Sequence, residues 1–227
     1  MLNQFLIICV ALFAVLSFFL GLFSISKNPK SWIIRLWFFL TLAITFWSAN
    51  LVLVMLAKTA QQGLRHSQLL HVGAAFIPVL FLHFVLLFAY EKSRVSKTLL
   101  GLGYLLSLLF SLLTFQSQII SGVTNRYGFD FWVKAGDFYY LYILFFWVFV
   151  ALAIFYLVKH YLAADGVMKR KFSFFLIATL VGFGGGGTSF LPQTLNIYPF
   201  GNYIAWLYPI LITYGIFIDE IKVKIKS

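Results

Sequence analysis

The sequence predicts an all-α fold, a polytopic membrane helical bundle. Seven transmembrane helices form a single domain over residues 1–227, with the N-terminus outside and the C-terminus cytoplasmic. Three observations lead there. Of the 227 residues, 62% are hydrophobic and only 10% charged, against about 45–50% apolar and about 25% charged in soluble domains, so water is not the main solvent. The apolar residues also come in continuous runs of helix length. One spanning helix needs about 20 such residues, so seven consume nearly the whole chain and leave no room for a soluble catalytic domain. Finally, Lys and Arg cluster on alternate connections, as they do when one side of a bundle faces the cytoplasm.

In chain order the spans are predicted at about 3–25, 32–57, 72–90, 98–118, 137–158, 172–191 and 202–218. The first begins without a basic side chain in Met1 to Gln4 and without a small-x-small cleavage site, so it reads as a retained helix rather than a signal peptide. Its Cys9 has no partner in the sequence and reads as a small packing residue. Both 3–25 and 32–57 are continuously apolar, which excludes the ten-residue alternating strands of a membrane barrel. The second span carries Trp47 and Asn50 in its outer half, and the third carries Pro78 and His83. Glu91 is expected to close the inner end of the third span, screened by Lys92 and Arg94.

Between the fourth and fifth spans, Gly122, Asn125 and Gly128 are turn residues around an aromatic, strand-like run from Tyr127 to Val133. The expectation is a short outer hairpin whose Tyr127, Phe129, Phe131 and Trp132 form either a cover over the bundle or an interfacial aromatic belt. Asp137 is expected to open the fifth span as an acid against the helix dipole. The sixth ends in Gly182-Phe183-Gly184-Gly185-Gly186-Gly187. No strand precedes this run and no Gly-Lys-Ser/Thr follows it, so it is not a phosphate loop. It offers close helix packing, a bend, or an unwound substrate-coordinating segment. Pro78 and Pro209 are each expected to remove one backbone hydrogen bond and kink their helices.

Orientation follows from 13 of the 17 basic residues, which lie after the first, third and fifth spans and in the tail: Lys27, Lys30, Arg35, Lys92, Arg94, Lys97, Lys159, Lys169, Arg170, Lys171, Lys222, Lys224 and Lys226. The other side holds Lys58, Arg65, Arg126 and Lys134. The positive-inside rule then places the tail in the cytoplasm, and the net charge of +11 is explained by anionic inner-leaflet lipid rather than nucleic acid. His66, His71, His83 and His160 lack metal-ligand spacing, and no Ser/His, paired Asp or metal constellation lies in the spans. The chain is therefore expected to have no catalytic residue, metal or cofactor. Candidate ligand-binding residues are Trp47, Asn50, His83, Trp132 and Asp137. Pro78, Gly184, Gly185, Gly186, Gly187 and Pro209 are candidate conformational soft points.

The segment His71 to Tyr90, with Pro78 and Phe84 inside it, resembles the third helix of the N-terminal seven-transmembrane sensor region of bacterial membrane histidine kinases. Further stretches agree with that region in the same order. They are Arg35 with the helix ending near Phe46-Trp47-Ser48, the outer Gly128 to Gly136, the basic Lys169-Arg170-Lys171, and Leu191-Pro192 through Pro199, Gly201 and Asn202 to Pro209. The resemblance implies a sensory input module of the bacterial cytoplasmic membrane. Such a module detects an unknown ligand or membrane state and transmits it through the seventh helix to a cytoplasmic kinase or output partner, with a homodimer as the expected working unit. In such kinases the seventh helix leads to a phospho-accepting His and an ATP-binding domain, whereas this sequence ends at Ser227. The output domain is thus expected to be lost or to be a separate chain. The alternative is a small transporter or channel, disfavoured because His83 alone among ionisable groups lies near a span's midpoint.

Overall fold

In lipid every backbone N–H and C=O has to find its partner within the protein, and long apolar runs meet that demand as helices. A computed structural model describes residues 2–226, with side chains from 2 to 218. Asp219, Glu220, Lys222, Lys224 and Lys226 of the predicted cytoplasmic tail have side chains outside the described residues. The elements are α1 (Leu2–Lys27), α2 (Trp32–Met55), α3 (Ala60–Phe88), α4 (Arg94–Phe115), β1 (Ile120–Arg126), β2 (Phe129–Ala135), α5 (Tyr139–Ala163) and α6 (Gly166–Gly186). A 3-10 turn, Gly187–Phe190, carries α6 into the short α7 (Leu191–Leu195), and a second, Phe200–Tyr203, precedes α8 (Leu207–Lys226). Among the described residues six helices are long and apolar enough to cross a membrane, counting Gly166–Leu195 as one, and Leu207–Ile218 is a shorter apolar helix.

Successive long helices run in opposite directions and give the bundle two ends. One holds the connections rich in Lys and Arg, the basic end. The other holds the N-terminus and the β-hairpin. The central helix is α3, packed against α2, α4, α5 and the hairpin. Buried rings fill the interior, with Phe81 and Phe183 centroids 4.9 Å apart and Phe88 and Phe175 4.7 Å apart. Large apolar side chains such as Ile8, Phe19, Leu105 and Leu112 are exposed, as on a surface solvated by hydrocarbon.

The structure departs from the sequence reading at several boundaries. The third helix begins at Ala60, not near 72, because Thr59 caps it by accepting from Gln62 N at 3.2 Å. Its polar first turns lie beneath the hairpin, where a Cβ at Gly63 would meet Phe131. The fourth begins at Arg94 behind the Ser93 cap, and the sixth begins at Gly166. Asp137 does not open the fifth helix: it is exposed, two residues before Tyr139, and α5 has no acid in its first turn. Pro209 falls in the first turn of α8, where an N–H has no helical acceptor, so no helical bond is lost there. Pro78 does lie inside α3. In the turn before it, Ala74 O is the carbonyl deprived of a helical donor, and the adjacent carbonyl of Ala75 accepts from Ser107 Oγ of α4 at 2.9 Å.

Glu91 also finds a partner other than the expected ones. Tyr90 takes a left-handed φ of 56°, and Glu91 N donates to Leu86 O at 2.9 Å, a Schellman-type ending that turns Glu91 toward α5. There it accepts from Lys159 Nζ at 3.1 Å, with His160 Nε2 at 3.7 Å. The hydrogen bond from Lys159 holds the Glu91 carboxyl below the usual carboxylate range.

Candidate functional site

The hairpin forms as expected. β1 and β2 pair antiparallel, with Arg126 opposite Phe129 and Thr124 opposite Trp132. The two turn residues, Tyr127 and Gly128, have φ of 53° and 78°, the positive pair that a primed two-residue turn requires. One face of the hairpin carries the buried Trp132, and Phe129 and Val133 are buried as well, Val133 on the opposite face of the strand.

From that face a chain of hydrogen bonds, half-buried at Gln193 and buried at His71, descends into the bundle. Trp132 Nε1 donates to Gln193 Oε1 of α7 at 3.0 Å. Gln193 Nε2 donates to the Tyr139 hydroxyl of α5 and to Ser189 O. The Tyr139 hydroxyl lies 3.3 Å from His71 Nε2 of α3, and His71 Nδ1 is 2.7 Å from Ser67 O. Tyr142 Oη closes the group by donating to His71 O at 2.9 Å. His71 and Tyr139 are buried, so these bonds carry the penalty that each group would incur if left alone.

Two smaller sets tie the same end together. Asn3 Nδ2 of α1 donates to Tyr127 O at 2.8 Å, and Asn3 Oδ1 accepts from Tyr198 Oη at 3.2 Å. Between α6 and the approach to α8, Gly201 N donates to Thr188 Oγ1 at 3.1 Å, and Asn202 Nδ2 donates to Ser189 Oγ at 2.9 Å. The hairpin, α1, the end of α6 and the start of α8 are thus joined by directional bonds.

The Gly-rich run makes these approaches possible. A Cβ at Gly182 would meet the Tyr208 ring, one at Gly187 the Trp147 ring, and one at Gly185 the Gly201 carbonyl oxygen at 2.8 Å. Gly184 meets nothing within 4 Å, and Gly186 faces Trp47 at 3.6 Å. The helix persists through Gly186 and then tightens into the 3-10 turn. Against Gly186 lies a narrow apolar cavity of about 40 Å³, bounded by residues that include Trp47, Ile77, Phe146, Phe190 and Tyr208.

The residues singled out from sequence are distributed over different places. Trp47 lines the cavity and Trp132 heads the hydrogen-bond chain. Asn50 Oδ1 lies 3.0 Å from His66 Nδ1, an intrabundle pair, while Asn50 Nδ2 donates to Phe46 O. His83 is half-buried with Nδ1 2.9 Å from Tyr104 Oη on α4, and Asp137 is on the surface. Sequence reasoning missed Gln193 and Tyr139 altogether and weighed His71 only as a metal ligand. The usable signal was an imidazole and a carboxamide at the edges of apolar spans, where polar side chains are expensive. Among the described residues no cluster of three or more His, Cys, Asp or Glu side chains is arranged to hold a metal.

Residues 9–219 match the family described as the N-terminal 7TM region of histidine kinase. No curated protein matches the chain. The match covers most of the 227 residues, and the chain belongs to this family: it is a multi-pass membrane protein corresponding to the sensor region of such kinases, and its sequence contains no kinase domain.

Proposed function

We propose that this chain is the signal-input module of a histidine-kinase signalling system in the bacterial cytoplasmic membrane. In this reading it crosses the bilayer seven times, α8 being the seventh crossing, with the hairpin end outside and the basic end in the cytoplasm. The distribution of Lys and Arg, 13 against 4, supports that orientation. The module has no catalytic role. It detects an external or membrane-borne cue at the hairpin end and passes a shift through α8 to a kinase core, in the same polypeptide or in a partner, with two copies acting as a pair.

The observation that carries this reading is the hydrogen-bond chain from Trp132 through Gln193 and Tyr139 to His71. It links the outer hairpin to the segment leading into α8 and to the central helix. A cue that favours one arrangement of this group over another biases the whole bundle, because only differential binding to two states transmits a signal. Pro78 and Gly184 to Gly187 are the soft points of this account, and Trp47 and Trp132 its best-placed recognition residues.

The test joins the full chain in frame to the cytoplasmic core of a histidine kinase and measures autophosphorylation in native membranes. Gln193→Leu is expected to change the rate at least about threefold, a shift of about 0.7 kcal/mol between two states. Unchanged rates for correctly inserted Gln193→Leu and Trp132→Phe would refute the reading.

A further inference from the structure

Between α4 and α5 the surface holds a groove. Both helices pack on α3 but scarcely on each other. They meet toward the basic end, where Ser96 Oγ and Tyr156 Oη are 3.2 Å apart and a Cβ at Gly103 would strike the Phe149 ring. Toward the hairpin they part, and the chain bridges them again at the hairpin base, where Phe138 N donates to Gln118 O at 2.9 Å. The opening between these two closures has a volume of about 330 Å³. Buried Phe110, Phe145 and Phe149 make its floor, and Leu109, Leu144 and Val148 its sides.

Every lining residue is Leu, Phe or Val, so a water molecule, which needs about two to four polar partners, is offered none by these side chains. Leu109, Leu144 and Val148 are also exposed, which makes the groove continuous with the surface that faces the bilayer, where hydrocarbon is the solvent. Size selects among apolar occupants. Along α5 the groove runs from Phe138 to Phe149, about 16 Å at about 1.5 Å per residue, close to the roughly 15 Å hydrocarbon depth of one leaflet. A helix about 10 Å across would occupy about 1,200 Å³ over that length, whereas a single hydrocarbon chain about 4–5 Å across occupies about 200–300 Å³. The sides are bulky as well, and close helix contacts in lipid use small residues.

We propose that this groove binds one acyl chain of a phospholipid from the leaflet on the hairpin side, as a retained lipid distinct from the freely exchanging bulk. Exposed Gln116, Ser117 and Asp137 stand at the hairpin base just beyond the groove, which sets headgroup depth there. The chain therefore enters with its carboxyl end near Phe138 and its methyl end toward Gly103. In the groove it meets two helices and a floor of rings, whereas on a single convex helix it meets one side, and dispersion attraction grows with the number of atoms touched. The floor adjoins the polar group: the Phe110 ring lies 5.5 Å from that of Tyr142, whose hydroxyl donates to His71 O. This inference goes beyond the sensor reading and requires only that the chain spans a bilayer.

The experiment uses the full chain in phosphatidylcholine nanodiscs doped with phosphatidylcholines that carry a diazirine near the carboxyl end or near the methyl end of one acyl chain. Photolabels are mapped by mass spectrometry. The first probe is expected to label Phe138 and Leu141, and the second Leu106 and Val148, each at least about fivefold above exposed Ile8 and Phe19 of α1. Leu109→Trp and Val148→Trp, which fill the groove from opposite sides, are expected to lower groove labelling more than about fivefold. Leu112→Trp, also exposed on α4 but outside the groove, leaves it unchanged. The depth order is read on the unsubstituted chain, so the test stays decisive if a Trp variant fails to insert. Labels spread evenly over exposed residues, a missing depth order, or equal effects of the three Trp variants overturn the proposal. Cross-linking of two copies through Val148→Cys in a Cys9→Ser background, with no groove labels, also overturns it and makes a second copy the occupant. Kinase output plays no part in the readout, so a silent kinase refutes the sensor reading alone and absent groove labels refute the lipid site alone.

Discussion

The two ends of the bundle are held by different forces. At the hairpin end, Trp132, Gln193, Tyr139, His71, Asn3, Tyr198, Thr188 and Asn202 meet through buried or half-buried hydrogen bonds. Toward the basic end the helices meet largely through rings: Phe84, Phe88, Phe172 and Phe175 pack at centroid distances from 4.7 to 6.2 Å. An ion pair at the rim, Glu91 with Lys159, adds a polar clasp. Hydrogen bonds are directional and fail when a partner moves by an ångström, whereas ring contacts tolerate rotation and sliding at small cost. The difference describes a bundle with one end that fixes an arrangement and another able to repack in response. That is the division an input module needs.

The largest expected effect comes from cutting the network at its centre. Gln193→Leu strands Trp132 Nε1, leaves the Tyr139 hydroxyl with His71 as its remaining partner, and should lower stability by about 3 kcal/mol, measured by thermal unfolding in nanodiscs. A loss below about 0.5 kcal/mol would remove the contrast between the ends. Next, Gly185→Leu drives a side chain against the Gly201 carbonyl and should cost about 2 kcal/mol. Its neighbour Gly184→Leu should stay within about 0.5 kcal/mol in the same assay, so the pair separates close packing from a general effect of Leu in this helix.

Trp132→Phe keeps most of the ring and leaves Gln193 Oε1 without its donor. It should cost about 1–2 kcal/mol and increase amide exchange in β2 before exchange rises elsewhere. The smallest effect belongs to the basic end. Since the Glu91 carboxyl is held below the ordinary carboxylate range, its contribution is complete above that range and is lost as pH falls through and below it. Exchange at the end of α3 should therefore rise in acid, and Glu91→Gln should remove that dependence.

Much of the fold was legible in the sequence, and the reasons are local. Uninterrupted apolar runs gave the long helices, and the turn residues Gly122, Asn125 and Gly128 around the strand-like Tyr127 to Val133 gave the hairpin, although the turn itself falls on Tyr127 and Gly128. The polar start of α3 was read as a loop because Gln61, Gln62, Arg65, His66 and Gln68 depress the apolar signal. Their helical form depends on the Thr59 cap and on the hairpin above them. The network was not legible for a different reason. Gln193 meets Trp132 across 61 positions and Tyr139 across 54, and His71 meets Tyr139 across 68. No spacing rule reaches partners brought together only by the packed bundle. Trp47 stands out in the sequence because an aromatic beside a polar residue in a span attracts notice.

The central claim is that the hairpin end sets the arrangement of the basic end. Its most direct test is electron–electron distance measurement between spin labels at Leu162 of α5 and Tyr214 of α8, two exposed positions, in a Cys9→Ser background in nanodiscs. Introducing Gln193→Leu, remote from both labels, is expected to shift or broaden the distance distribution by on the order of 2 Å. A distribution identical to that of the labelled parent, with the hairpin demonstrably loosened by exchange, would contradict the account.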